Sequence, residues 1–259
     1  MAPRSSWRVS STQSAPEGRI DVWLSKTDSG RRPDVRGRCR GILLEEELEV
    51  CSSFHQEADR NLALVARAHL RQSLSRHAPV DPRAWRFSKG LEGKPEIAGA
   101  EAAHGLEFNL SHTRALVACA VARGFPIGVD VEDTARELDP LELATRVFTP
   151  AESQALRALP PGPRKRRFFE LWTLKEAWLK ACGAGFSIDP RSLEFDLSQA
   201  GRVHARLPGE DSSQWWFAVR PIGVGHVLAL AARCGPKVPR VRIRHSVPGD
   251  IDCYSQDRA

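Results

Sequence analysis

Chemistry is first suggested by two acidic side chains two residues apart in Ile127-Gly128-Val129-Asp130-Val131-Glu132. On a strand, alternate side chains share a face, so Asp130 and Glu132 point one way while Val129 and Val131 point into the core. Two carboxylates placed like this repel and raise one another's pKa, and a divalent cation removes that penalty. Oxygen donors with no histidine beside them favour magnesium over zinc. For this segment alone, an ordinary strand with a solvated acidic face is the plain alternative.

A second segment, Trp172-Thr173-Leu174-Lys175-Glu176-Ala177-Trp178-Leu179-Lys180, has the apolar period of a helix. Phe168, Leu171, Leu174 and Trp178 form one stripe, and Glu176 and Lys180 lie four apart on another face, near Trp172. They could be a surface ion pair, or a third carboxylate and a phosphate-binding ammonium on a rigid support. In Phe108-Asn109-Leu110-Ser111-His112 a strand runs into a serine and a histidine that can both hydrogen-bond a phosphate. A hairpin turn accounts for them equally, and no G-x-S-x-G elbow surrounds the serine. Gly93-Lys94-Pro95 is a short turn with one lysine. Neither a Walker-type phosphate loop nor a G-x-G-x-x-G fingerprint is present.

The elements that must hold these residues follow from period and punctuation. Strands are predicted at Ile20–Leu24, near Trp85 and Phe87, and at Leu106–Leu110, Ala115–Ala122 and Ile127–Glu132. Further strands are predicted at Ser192–Leu197, Val203–Leu207, Trp215–Val219 and Val227–Ala232. Helices are predicted at Leu43–Val50, Glu57–Arg76, Pro140–Val147 and Pro150–Ala158. The strongest helix signal spans Arg166 to Cys182, after a break at Pro160, Pro161 and Pro163 and closed by Gly183 and Gly185. Residues 26–38, rich in Arg, Gly and Pro, read as a loop. The layout implies an α+β protein: a flexible segment 1–18, lobes at 19–125 and 126–236, and a loose basic and polar tail at 237–259. No repeat is visible in the sequence.

Composition bounds the rest. The 259 residues are 41% hydrophobic and 27% charged, ordinary for a globular chain with a sizeable core. The net charge of +6 suits an anionic partner, whether nucleic acid, polyphosphate cofactor or acidic protein. Six scattered cysteines without a C-x-x-C pair imply free thiols in a reducing compartment. The longest apolar run, Ala115 to Ala122, falls far short of the ~20 residues of a membrane span, so a cytoplasmic protein without membrane contact is expected.

Taken in order, Gly93-Lys94-Pro95, Phe108 to His112, Ile127 to Glu132 and Phe169 to Lys180 resemble the 4'-phosphopantetheinyl transferase superfamily, in its two-lobed (Sfp-type) class. The resemblance is strong from about Arg60 to Phe186 and loose in the C-terminal strands. It implies two similar lobes related by a pseudo-twofold, each a small antiparallel sheet packed with helices. It implies an enzyme that moves 4'-phosphopantetheine from coenzyme A to a serine of an apo acyl or peptidyl carrier protein. Adenosine 3',5'-bisphosphate leaves, and service to polyketide or nonribosomal peptide synthesis is expected. By the same resemblance, Asp130, Glu132 and Glu176 hold magnesium, and Lys180 contacts the pyrophosphate. Glu176, or a water it orients, takes the serine proton. Ser111 and His112 meet the cofactor's phosphates, Lys94 and Pro95 line the nucleotide site, and Arg60 serves the 3'-phosphate. Glu45-Glu46-Glu47 stands where relatives place further basic contacts. A monomer is implied. The basic run Arg164 to Arg167 is a candidate dock for an acidic carrier, with a solvated face as the alternative.

Rival readings are a nucleic-acid-binding module, a scaffold without catalysis and another magnesium-dependent phosphoryl enzyme such as a nuclease. The first lacks any helix-turn-helix, zinc-finger or RNP pattern, so no nucleic-acid partner is expected.

Overall fold

The computed structural model describes residues 8–9, 18–90, 93–183, 187–199 and 201–250. In chain order the elements are β1 (Arg8–Val9), β2 (Arg19–Lys26), α1 (Pro33–Ile42), α2 (Glu45–Ser52), α3 (Glu57–Ser75), β3 (Arg86–Lys89) and β4 (Pro95–Ala98). Next come β5 (Leu106–His112), β6 (Leu116–Arg123), β7 (Ile127–Asp133), α4 (Pro140–Val147), α5 (Pro150–Arg157) and α6 (Pro161–Cys182). The last are β8 (Glu194–Asp196), β9 (His204–Arg206), β10 (Trp216–Ile222), β11 (His226–Ala232) and β12 (Arg240–His245). The chain divides into two units. One comprises Arg19–Gly90, Pro95–Gly124 and the chain from Val241; the other comprises Phe125–Arg240 with the pieces ending at Gly18 and Lys94.

The two units share one element order. In the first, β2, three helices, the β3–β4 ribbon, β5 and β6 follow one another, and the sheet runs β12-β2-β6-β5. In the second, β7, three helices, the β8–β9 ribbon, β10 and β11 follow, and the sheet runs β1-β10-β11-β7. In both, the last strand of the series lies between the other two, pairing antiparallel with each. The fold is therefore α+β, with a small antiparallel sheet and packed helices repeated. The repetition lives in the order of elements, which is why no sequence repeat betrays it.

In the first unit α3 covers the sheet face carrying Trp23, Phe108, Cys119 and Val121, with Leu70, Leu74 and Trp85 completing the core. His69 of α3 is fully buried, and its Nε2–H donates to Trp23 O at 2.9 Å. Burial holds its pKa down at about 4. In the second unit α6 covers the face carrying Phe217, Val219, Val227, Ala229 and Ala231.

Three expectations need correction. Residues 26–38 are not a loop: a 3-10 turn at Thr27–Arg31 leads into α1. Pro33 opens α1, where its missing N–H is harmless, and Val35, Cys39 and Ile42 keep a helical stripe beneath an arginine-rich surface. The prolines at 160–163 start α6 rather than break the chain before it, because first-turn N–H groups need no intrahelical partner. Gly183, at φ 66°, closes α6, while Gly185 lies outside the described residues. Residues 240–245 are not part of a loose tail but form β12, beside β2. Arg240 N bonds Gly18 O and Ser246 N bonds Leu24 O, a rising register that makes β12 parallel to β2. At the other end, Arg8–Val9 pair with β10. No helix among the described residues is long and apolar enough to cross a membrane.

Candidate active site

Gly128, Asp130 and Glu132 share the face of β7 that α6 covers. A Cβ on Gly128 would overlap Ala177 O and stand 2.6 Å from Ala181 N, so only glycine lets this helix approach so closely. Two residues along, Lys180 of α6 donates to Asp130 Oδ1 at 2.6 Å. Two further, Trp172 Nε1 donates to Glu132 Oε1 at 2.9 Å, and Arg136 donates to Glu132 Oε2 at 3.0 Å. Strand and helix thus run past each other with their charged side chains in step. The expected shared face of Asp130 and Glu132 is present. Val129 and Val131 are buried as well, on the opposite face, so the carboxylates do not look into open solvent but lie on the side of the unit's main core.

The electrostatics are those of crowded anions. Burial, then the charge of Asp130, pushes Glu176 up to about 7, against the pull of Lys180. Glu132 is raised by burial and by Asp130, against its bonds to Trp172 and Arg136. Asp130 is 4% exposed, deep enough for these charges to be felt through protein rather than water. Chemically, the donor set fits a hard divalent cation: carboxylate oxygens alone, whose mutual repulsion a cation would relieve. As the side chains lie, no three His, Cys, Asp or Glu residues among those described are gathered tightly enough to hold a metal ion. Lys180 and Arg136 instead supply positive charge at Asp130 and Glu132.

The other candidates fall in several places. Lys94 Nζ donates to Ala181 O at 3.1 Å, in the last turn of α6 where carbonyl charge accumulates, and Pro95 opens β4. Ser111, buried, and His112, exposed, end β5 in the first unit. Arg60, in the first turn of α3, donates to Phe54 O and His55 O, each at 2.8 Å. Glu47 is not a spare acid: it caps α2 by accepting from Leu44 N and pairs with the buried Arg71 at 2.9 Å. The basic run is partly paired within the chain. Arg166 and Arg167 both pair with Glu170 at 3.1 Å, and Arg164 caps the end of α5 through Leu159 O and Arg157 O. Arg166 nevertheless keeps 63% of its side chain exposed, so the pairing offsets part of the run's charge without burying it. Sequence reasoning missed Arg136, whose loop position showed no pattern, and the burial of Lys175 with Glu152. For Glu152 a signal existed, since Thr149-Pro150-Ala151-Glu152 has capping-box spacing and the box forms.

Comparison with known proteins bears on both units. Residues 126–231 match the family described as the 4'-phosphopantetheinyl transferase superfamily, and residues 38–123 match 4'-phosphopantetheinyl transferase, N-terminal. The 4'-phosphopantetheinyl transferase HetI of Nostoc sp. is 37% identical over 145 residues, 56% of this chain and 61% of its own length. The 4'-phosphopantetheinyl transferase Sfp of Bacillus subtilis is 31% identical over 195 residues, 75% of this chain and 84% of Sfp. The L-aminoadipate-semialdehyde dehydrogenase-phosphopantetheinyl transferase of Homo sapiens is 27% identical over 204 residues, 73% of this chain and 66% of its own. With matches across both units and most of Sfp covered at this identity, the chain belongs to the 4'-phosphopantetheinyl transferase superfamily.

Proposed function

We propose that this enzyme transfers the 4'-phosphopantetheine group of coenzyme A to a serine of an apo carrier protein, at a magnesium-dependent site formed by β7 and α6. The observation that carries the reading is the Asp130, Glu132, Glu176 and Lys180 cluster, in which Asp130 raises the pKa of Glu132, both raise that of Glu176, and one ammonium is already present. Asp130, Glu132 and Glu176 would hold the magnesium ion, which when bound supplies charge neutralisation at the pyrophosphate. Lys180, 30% exposed at its side chain, would exchange part of its hold on Asp130 for a phosphate oxygen. Glu176, beside the proposed metal, is the group proposed to take the serine proton, directly or through a water. The serine oxygen forms a bond to the phosphorus that carries pantetheine. The bond from that phosphorus to the bridging oxygen breaks, and adenosine 3',5'-bisphosphate departs with the electron pair.

Arg60, Lys94, Pro95, Ser111 and His112 remain the candidates for coenzyme A contacts. Carrier proteins of polyketide or nonribosomal peptide synthesis are the proposed acceptors. A monomer is proposed because one chain already carries both copies of the repeated element series. The test is incubation with coenzyme A, magnesium and apo carrier protein. A gain of about 340 Da on the carrier, abolished by EDTA, is expected. A folded protein that leaves several unrelated carriers unmodified would overturn the reading.

A further inference from the structure

Lys175, next to Glu176, has been given no role, yet it is fully buried. Its ammonium lies 2.7 Å from Glu152 Oε2, 2.7 Å from Leu193 O, 2.9 Å from Pro190 O and 3.1 Å from Val147 O. It also sits 5.1 Å from the centroid of the Phe148 ring. Glu152 is equally buried: its Oε2 accepts from Thr149 N and its Oε1 from Phe195 N, each at 2.8 Å. One ion pair therefore ties α6 to the end of α4, the start of α5, the turn at Pro190–Ser192 and β8. The charge pairing by itself is a poor reason for burial, because well-packed apolar residues often replace buried ion pairs without loss, although the five backbone bonds of this pair do add stability. Direction is a better one.

At about 100° per residue, Lys175 and Ala177 project from α6 about 200° apart, on nearly opposite sides. The Ala177 side is seated on Gly128 of β7, and the Lys175 side is held by Glu152 and three carbonyls. We propose that Lys175 and Glu152 are a positioning pair that fixes the rotation of α6 about its own axis and so aims Glu176 and Lys180 at Asp130. This rests on the reading of those residues as the transfer site. A turn of about 20° would swing a side-chain tip, 5–6 Å from the axis, by about 2 Å. A misplacement of about 1 Å can cost roughly 100-fold in rate.

The test compares the parent with the Lys175→Met/Glu152→Leu double variant, which fills the same space without charge. Four quantities are measured: melting midpoint, kcat, KM for coenzyme A, and magnesium affinity by calorimetry. The double variant is expected to fold but to melt below the parent, because Thr149 N, Phe195 N and the carbonyls of Val147, Pro190 and Leu193 lose a partner, and kcat is read well below its midpoint. Its kcat should fall at least about 30-fold with KM changed less than about 3-fold, and magnesium should bind roughly 10-fold more weakly. If the double variant does not fold, Glu152→Gln takes its place, keeping the shape but loosening the hold on Lys175. There kcat should fall about 5-fold with KM unchanged. A folded variant with parental kcat and magnesium affinity overturns the positioning role while leaving the transfer reading intact. Failure of both variants to fold also overturns it, since the pair would then serve folding and not aim. A parent that transfers nothing sinks the transfer reading first.

Discussion

At the scale of single residues, the site is defined by charge placed where water is scarce. Asp130 is the hinge of the cluster: it takes the ammonium of Lys180 and is the leading charged contributor to the raised pKa of both Glu132 and Glu176. Asp130→Asn keeps the shape and an acceptor for Lys180 but removes one negative charge. Turnover should fall at least about 100-fold, read by mass on the carrier, while the melting midpoint moves only a few degrees. In the metal-free protein Glu176 should titrate lower than about 7, because one of the charges opposing its ionisation is gone. Carboxyl carbon NMR would show this; an unmoved titration would mean that the charge of Asp130 does not set it. Much of this was legible from spacing. Period two along β7 put both acids on one face, and period 3.6 along α6 put Glu176 and Lys180 on another. What stayed hidden were partners distant in sequence: Trp172 for Glu132, forty residues apart, and Glu152 for Lys175, twenty-three apart.

At the scale of elements, close approach and burial decide. Gly128 lets the backbone of α6 touch β7, so Gly128→Ala forces strand and helix apart. A loss of about 3 kcal/mol or more is expected in a denaturant melt, together with loss of transfer. In the other unit, His69 is buried neutral between Trp23 O and Ser246. Its folded pKa of about 4 lies below its ordinary 6.5, so below pH 6.5 the unfolded chain takes up a proton that the folded chain refuses. Stability from this group is complete above pH 6.5. It is lost at roughly 1.4 kcal/mol per unit as pH falls towards 4. His69→Gln can still donate to Trp23 O and should melt with a flatter slope between pH 7.5 and 5. An unchanged slope would assign the acid sensitivity elsewhere. The helices α3 to α6 and most strands followed from period and capping. α1 did not, because its three buried positions are outnumbered by arginines and glycines in a composition that reads as loop.

At the scale of the whole molecule, the chain's late segment closes an early unit. Beyond residue 231, where the family match ends, the chain adds β12 to the sheet and then runs across α3. There Gln72, 1% exposed, donates to Val247 O at 3.3 Å and to Asp250 O, and accepts from Gly249 N at 3.1 Å. Arg244 lies over the Trp23 ring, 5.3 Å from its centroid. Removing residues 240–259 would strip β2 of a neighbour and leave Gln72 and His69 without these bonds, at about 1–3 kcal/mol for each buried polar group left unsatisfied. The truncated protein should unfold at lower denaturant and be cut first within residues 19–124 under limited proteolysis. Parental stability would show that β12 is dispensable.

By itself the sequence determined the local periods, the helix starts and stops, and the order of acidic and basic residues along β7 and α6, since these depend on neighbours within one or two turns. The motif residues were legible for that reason, and with them the family. Only the tertiary structure decided which charges meet. Arg166 and Arg167 share Glu170, Lys175 sank onto Glu152, and the arginine-rich segment at 240–245 became a strand. Each outcome depends on the desolvation and hydrogen bonding that a distant piece of chain imposes, and no local pattern of residue types records that.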